Sequence, residues 1–179
     1  MSQDCCHCLR VHRNGFSVDK MGRKYLWVAR RSMTKQTFPG MLDHVVAGGQ
    51  PVGLSCRKML SKNAMKKLAF PWKLQRVSAV SYEDVDFVRL KRDVLFCYDL
   101  ELPRISNHII KVWIMRSLQN GLKTAIFALM LAFIVDGEVD SLNLLPISEV
   151  EKMLRESEAY KPNCALVVID FLIRHGIIP

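Results

Sequence analysis

Three β-branched or alternating apolar runs, at 77–80, 85–90 and 93–100, follow one another before Pro103 closes the block. A chain that lays down two or three such strands in succession must build a sheet and cover at least one of its faces. The cover is written at the C-terminal end. Pro162-Asn163 opens a mostly apolar helix over 164–175, and Gly176 caps it. Before it a Glu-rich helix is expected over 148–157, with Glu151 three residues after Ser148 as in a capping box. Upstream, Lys20-Met21-Gly22-Arg23 reads as a turn into a strand at Tyr25-Leu26-Trp27-Val28-Ala29. Phe38-Pro39-Gly40 breaks the chain, and residues 43–47 give a short strand ending at Gly48-Gly49. Residues 56–68 hold no Gly or Pro and place Leu60, Ala64 and Leu68 on one helical stripe, stopped by Pro71. The expected architecture is an α+β or layered α/β domain around a mixed sheet.

Composition narrows this further. The chain has 179 residues, half of them hydrophobic and 24% charged, as one globular domain requires. The longest apolar run, 125–135, falls short of the ~20 residues that a membrane-spanning helix needs. The net charge of +9 is patchy: residues 44–82 carry seven basic side chains and no acid, and 104–135 carry four and no acid. Cysteines at 5, 6, 8, 56, 97 and 164, with no secretory leader before them, read as reduced thiols of an intracellular protein. Residues 1–14 are polar and aperiodic and are expected to form a loose tail. Its Cys5, Cys6, His7, Cys8 and His12 invite a zinc reading, yet only Cys5 and Cys8 have ligand spacing and no second pair follows. Residues 104–135 hold two helices' worth of apolar sequence joined at Gln119-Asn120-Gly121 and fit the plan badly. They are expected to be an insert, leaving a domain made of 15–103 and 136–179.

The segments LWVARRS (26–32), PGMLDHVVAGGQP (39–51), VSAVSYEDVD (77–86), KRDVLFCYDLELP (91–103), DGEVDS (136–141) and KPNCALVVIDFLIRHG (161–176) resemble, in order, the Nudix hydrolase domain of the subfamily related to thiamine pyrophosphokinase. The resemblance covers 12–103 and 136–179. It implies a mixed sheet sandwiched between helices and Mg²⁺-dependent cleavage of a pyrophosphate in nucleoside diphosphate or thiamine diphosphate type substrates. It also implies that longer relatives carry an N-terminal domain that this chain lacks.

The family's signature, G-x5-E-x7-R-E-U-x-E-E-x-G-U with U apolar, sets carboxylates on one helical face to hold hydrated Mg²⁺ against pyrophosphate oxygens. Laid on this chain from Gly48 without a gap, it puts Leu54 at the first Glu and Lys62 at the Arg. The three metal-binding glutamates fall on Asn63, Lys66 and Lys67. No shift of register restores them, because residues 44–82 contain no acid. Mg²⁺ is therefore the family's cofactor but is not expected to bind here, and the copy is expected to be weakly active or inactive. The alternative is a pseudoenzyme that holds anionic phosphate ligands on a basic helix face.

Substrate contacts implied by the resemblance are Arg30 and Arg31 after the first strand, Lys62, and Gly48 and Gly49 where the chain turns toward a helix. His44 beside Asp43 is either a base or a packed core histidine. Glu138 matches the family's DGEV and is either a loop carboxylate near a metal or a turn residue. Nucleic acid ranks last as a partner, since no aromatics interleave with the lysines. Residues 109–135 add the expectation of membrane adsorption or self-association.

Overall fold

The computed structural model describes residues 7–44, 46–49, 75–86, 89–102, 137 and 139–179. The helix expected over 56–68, Asn63, Lys62, Lys66, Lys67, Glu138 and the insert 104–135 lie outside them. Among the described residues, seven strands form one sheet: β1 (His7–Val18), β2 (Lys24–Arg31), β3 (Leu42–Asp43), β4 (Val46–Gly49), β5 (Gln75–Asp86), β6 (Arg89–Glu101) and β7 (Val139–Pro146). Two helices follow, α1 (Ile147–Glu156) and α2 (Pro162–Arg174). The main strand order is β3-β2-β1-β6-β5, with β4 on β1 and β7 on β2. β1 and β6 run parallel from His7↔Arg92 to Phe16↔Glu101 while the other pairs are antiparallel, so the sheet is mixed, as expected.

The central strand corrects the sequence reading. From His7 on, the expected loose tail is β1, and residues 11–17 are all buried. Its polar residues hid it, because strands covered on both faces usually read as continuous apolar runs. Several of those polar groups find partners inside: Asn14 donates to Asp99 (3.1 Å), while Ser17 donates to the Leu102 carbonyl (2.7 Å) and accepts from the Trp27 indole (3.1 Å). A paired buried polar group costs little; an unpaired one costs ~1–3 kcal/mol.

The run 85–90 is not a separate strand. Val85 pairs with Leu90 and Asp86 with Arg89 across the β5–β6 hairpin, so the block makes two long strands. β7, unmarked by clean alternation, pairs with β2 from Tyr25↔Pro146 to Arg31↔Val139 and occupies that edge of β2. β1 and β3 share the other edge, β1 at 24–26 and β3 at 29–30. Where β1 and β2 part, residues 42–49 fill the fork, with β3 against β2 and β4 against β1.

Both helices pack on one face, around Phe16, Leu26, Val28, Val150, Val168, Phe171 and Leu172. Each such side chain contributes about 1.5–3 kcal/mol by leaving water. Helix α1 begins at Ile147 behind Pro146, whose side chain makes no capping bond; Ser148 lies inside the first turn, so the expected capping box is absent. Helix α2 starts with Pro162 at its first position, where the missing N–H costs nothing. It ends as expected at Gly176 (φ 65°), with Gly176 N–H on the Ile173 carbonyl and Ile177 N–H on that of Leu172, a Schellman closure. The segment before α2 is tied to β3: Leu42 N–H donates to the Ala159 carbonyl and Lys161 N–H to that of Leu42. That tether brings the first turn of α2 over the fork. No helix among the described residues is long and apolar enough to cross a membrane.

Candidate functional site

The end of β2 organises the loop that follows it. Arg31 donates Nε to the carbonyls of Thr37 (3.2 Å) and Phe38 (3.1 Å), Nη2 to Thr37 (2.8 Å), and Nη1 to Asp43 Oδ2 (2.8 Å). The guanidinium fork thus clasps a loop bent sharply enough to hold Phe38 at φ 52° and Gly40 at φ 69°. Each of its three nitrogens donates within the chain. Arg30, exposed, gives Nη1 to the Gly40 carbonyl (2.9 Å) and sits on the outer side of the same strand end. Gly48 and Gly49 close β4, paired to Val11 and Arg10, at the point where the chain leaves for the box residues.

Asp43 is the hub of the fork. Oδ1 accepts the His44 N–H (2.7 Å) and the Cys164 thiol (2.8 Å); Oδ2 accepts Arg31, with the Lys161 ammonium at 3.9 Å. Burial alone would raise its pKa, but His44, Lys161, Cys164 and Arg31 together outweigh burial and hold it at about 2. The lasting share near neutrality comes from Lys161, Cys164 and Arg31, because His44 is itself uncharged there.

Around this carboxylate stand three residues from distant parts of the chain. His12 comes from β1, His44 from the crossover between β3 and β4, and Cys164 from the first turn of α2. They are 1%, 6% and 0% exposed, and one ligating atom from each lies within 4.8 Å of the others. The two imidazoles meet edge to face with centroids 5.1 Å apart. Burial, aided by His44, drives the His12 pKa down to about 3, and burial drives that of His44 to about 4 against the pull of Asp43. Burial and then the Asp43 charge push the Cys164 thiol well up. Among the described residues, both ring nitrogens of His12 and Nε2 of His44 lack a hydrogen-bond partner.

Of the residues singled out from sequence, the structure therefore brings Arg31, Asp43 and His44 together, and places Arg30, Gly48 and Gly49 along the rim of the same fork. His44 is a packed histidine, as one of the two readings held. From sequence, His12 enters only the disfavoured zinc reading of the N-terminal tail, and Cys164 only an apolar helix. The usable signal was a histidine flanked by Val11 and Arg13 in a stretch that becomes a central strand.

No family model matches the chain. It is 42% identical over 172 residues to Nudix hydrolase 20, chloroplastic, of Arabidopsis thaliana, and 40% identical over 172 residues to Nudix hydrolase 24, chloroplastic, of the same plant. Each match takes in 94% of this chain but only 39% and 40% of those proteins, so the chain spans about two fifths of the relatives' length. Among solved structures, the MutT protein from Methanosarcina mazei Go1 superposes with a TM-score of 0.56 at 10% identity, covering 97% of this chain and 99% of that one. The Nudix domain of Shewanella oneidensis NrtR, solved with ADP ribose, gives 0.51 at 12% identity over 97% of this chain and 90% of that one. The fold is Nudix-like, and over 94% of its length the chain is similar to part of two Nudix hydrolases.

Proposed function

We propose that the chain is a pyrophosphate hydrolase domain by lineage whose metal machinery has been replaced, leaving weak activity or none. One observation carries this reading: the residues aligned with the metal-binding glutamates are Asn63, Lys66 and Lys67, within a stretch, 44–82, that holds no acid. An amide and two ammonium groups do not fit Mg²⁺, which takes hard oxygen ligands and preferably carboxylates. Losing metal-based stabilisation of the charge that develops on a pyrophosphate costs several kcal/mol of barrier, and each ~1.4 kcal/mol is tenfold in rate.

The same substitutions favour a binding role. Lys66 and Lys67 put cations where the signature has carboxylates, Lys62 keeps a positive charge at the signature's Arg position, and exposed Arg30 lies at the strand end beside Gly40. Arg31 contributes by holding that strand end and its loop rather than by touching phosphate. The ligand class is a phosphorylated small molecule, a nucleotide or thiamine diphosphate; the ADP ribose named for the Shewanella domain belongs to the nucleotide class. Calorimetric titration with ADP-ribose and with thiamine diphosphate, each with and without Mg²⁺ and at two salt concentrations, tests this. Binding that is indifferent to Mg²⁺ and weakens with salt supports it. Binding only in the presence of Mg²⁺ overturns it.

A further inference from the structure

We propose that His12, His44 and Cys164 are the ligands of a buried site for a borderline-soft divalent cation, zinc above all, that ties β1, the β3–β4 crossover and α2 together. The site is independent of the Nudix box and of the phosphate-binding reading, because none of its residues belongs to either.

Three observations converge on it. The ligand set is two imidazoles and a thiol, the donors of structural zinc sites and poor donors for Mg²⁺. The ligating atoms already lie within 4.8 Å of one another, whereas bonds of about 2.0–2.3 Å around a tetrahedral ion need separations of about 3.3–3.6 Å. Ring rotations that close the group by about an ångström therefore suffice. Most telling, among the described residues His12 Nδ1 and Nε2 and His44 Nε2 find no hydrogen-bond partner, which leaves three buried ring nitrogens idle side by side. A protein core seldom leaves three ring nitrogens idle at one point. A cation would use one lone pair from each ring.

The surroundings suit a metal. Cys164 Sγ already points its proton at Asp43 Oδ1, 2.8 Å away, so this carboxylate stands either as fourth ligand or as the group that orients the thiolate. On binding, the S–H bond breaks, the sulfur's electron pair goes to the cation, and the proton leaves to buffer. The thiolate and the Asp43 carboxylate together offset the two charges of the cation, while Arg31 and Lys161 face the other carboxylate oxygen.

The test uses the full chain expressed in cobalt-supplemented medium, since a buried ion enters most readily during folding. One Co²⁺ per chain, with a thiolate-to-cobalt charge-transfer band, is expected. The band should survive Cys97→Ser and the combined Cys5→Ser, Cys6→Ser and Cys8→Ser, and fall about tenfold or more in Cys164→Ser. Cobalt-free protein, or a band that persists in Cys164→Ser and vanishes with the N-terminal cysteines, overturns the proposal. Should Cys164→Ser fail to fold, X-ray absorption on the zinc-loaded wild-type chain decides. A first shell with two nitrogens and one sulfur supports the site, and an all-sulfur or all-oxygen shell refutes it.

Discussion

Arg30 and Arg31 are neighbours in sequence with opposite expected roles, and their substitution separates loop clasp from ligand contact. Arg31→Met removes a guanidinium that is only 13% exposed and faces an Asp43 carboxylate that is 9% exposed. It also releases the carbonyls of Thr37 and Phe38. Breaking one partner of such a buried pair costs about 3–5 kcal/mol, because the other charge stays behind, here with only the Lys161 ammonium at 3.9 Å. For a chain of this length, about 2–4 °C of melting temperature is lost per kcal/mol, so a fall of about 6–20 °C is expected. Arg31→Lys keeps the charge but not the fork and should fall between, losing about 2–3 kcal/mol of charged hydrogen bonds. Arg30→Met gives up one exposed hydrogen bond and should stay within about 0.5 kcal/mol of wild type. Thermal and urea unfolding followed by circular dichroism, alongside ADP-ribose titration of each folded variant, reads both roles. If Arg31→Met melts with the wild type and loses ligand binding, the clasp assignment is wrong and Arg31 is a phosphate contact.

Other outcomes follow from the same structure. Asn63→Glu, Lys66→Glu and Lys67→Glu combined should create Mg²⁺ uptake measurable by calorimetry; a folded triple variant that takes up no Mg²⁺ would show that the box alignment is misplaced. Gly22, at φ 78° in the turn before β2, has open space where a Cβ would stand, so Gly22→Ala should cost about 1–2 kcal/mol from backbone strain alone, read by urea unfolding. Asp19 accepts the Met21 and Arg23 N–H groups and the Arg23 guanidinium, and these bonds overcome its desolvation to lower its pKa. Its contribution is therefore present above the ordinary aspartate pKa of 3.8 and fades as pH falls below it, a fade that Asp19→Asn should abolish in acid titrations of stability. Deleting 104–135 with a short polar bridge should improve solubility and keep cooperative unfolding; a non-cooperative melt would mean that the segment completes the core.

Much of the fold was legible because β2, the β5–β6 block and α2 carry ordinary signals: aromatic and β-branched runs, a proline at a helix start and a glycine at its end. β1 was illegible for a physical reason. Asn14 and Ser17 are acceptable in a central strand only because Asp99, Leu102 and Trp27 sit opposite them, and those partners are remote in sequence. β7 was missed because Val139–Pro146 is half-buried except at exposed Asp140 and Pro146 and shows no clean two-residue period. The site divides in the same way. His44 beside Asp43 stood out, but its grouping with His12 and Cys164 depends on the fork between β1 and β2 and on the tether that swings α2 across it, neither of which leaves a local pattern. Arg31 illustrates the converse: the bonds it makes to the loop carbonyls and to Asp43 leave no local pattern in the sequence.

The proposal that metal-dependent chemistry is lost with the carboxylates is tested most directly by phosphate release from nucleoside diphosphates and thiamine diphosphate, using protein freed of contaminating hydrolases and assayed with and without Mg²⁺. The account predicts turnover that Mg²⁺ does not raise above background. Saturable, Mg²⁺-dependent hydrolysis that co-purifies with the chain and disappears in Lys66→Ala with Lys67→Ala would contradict it.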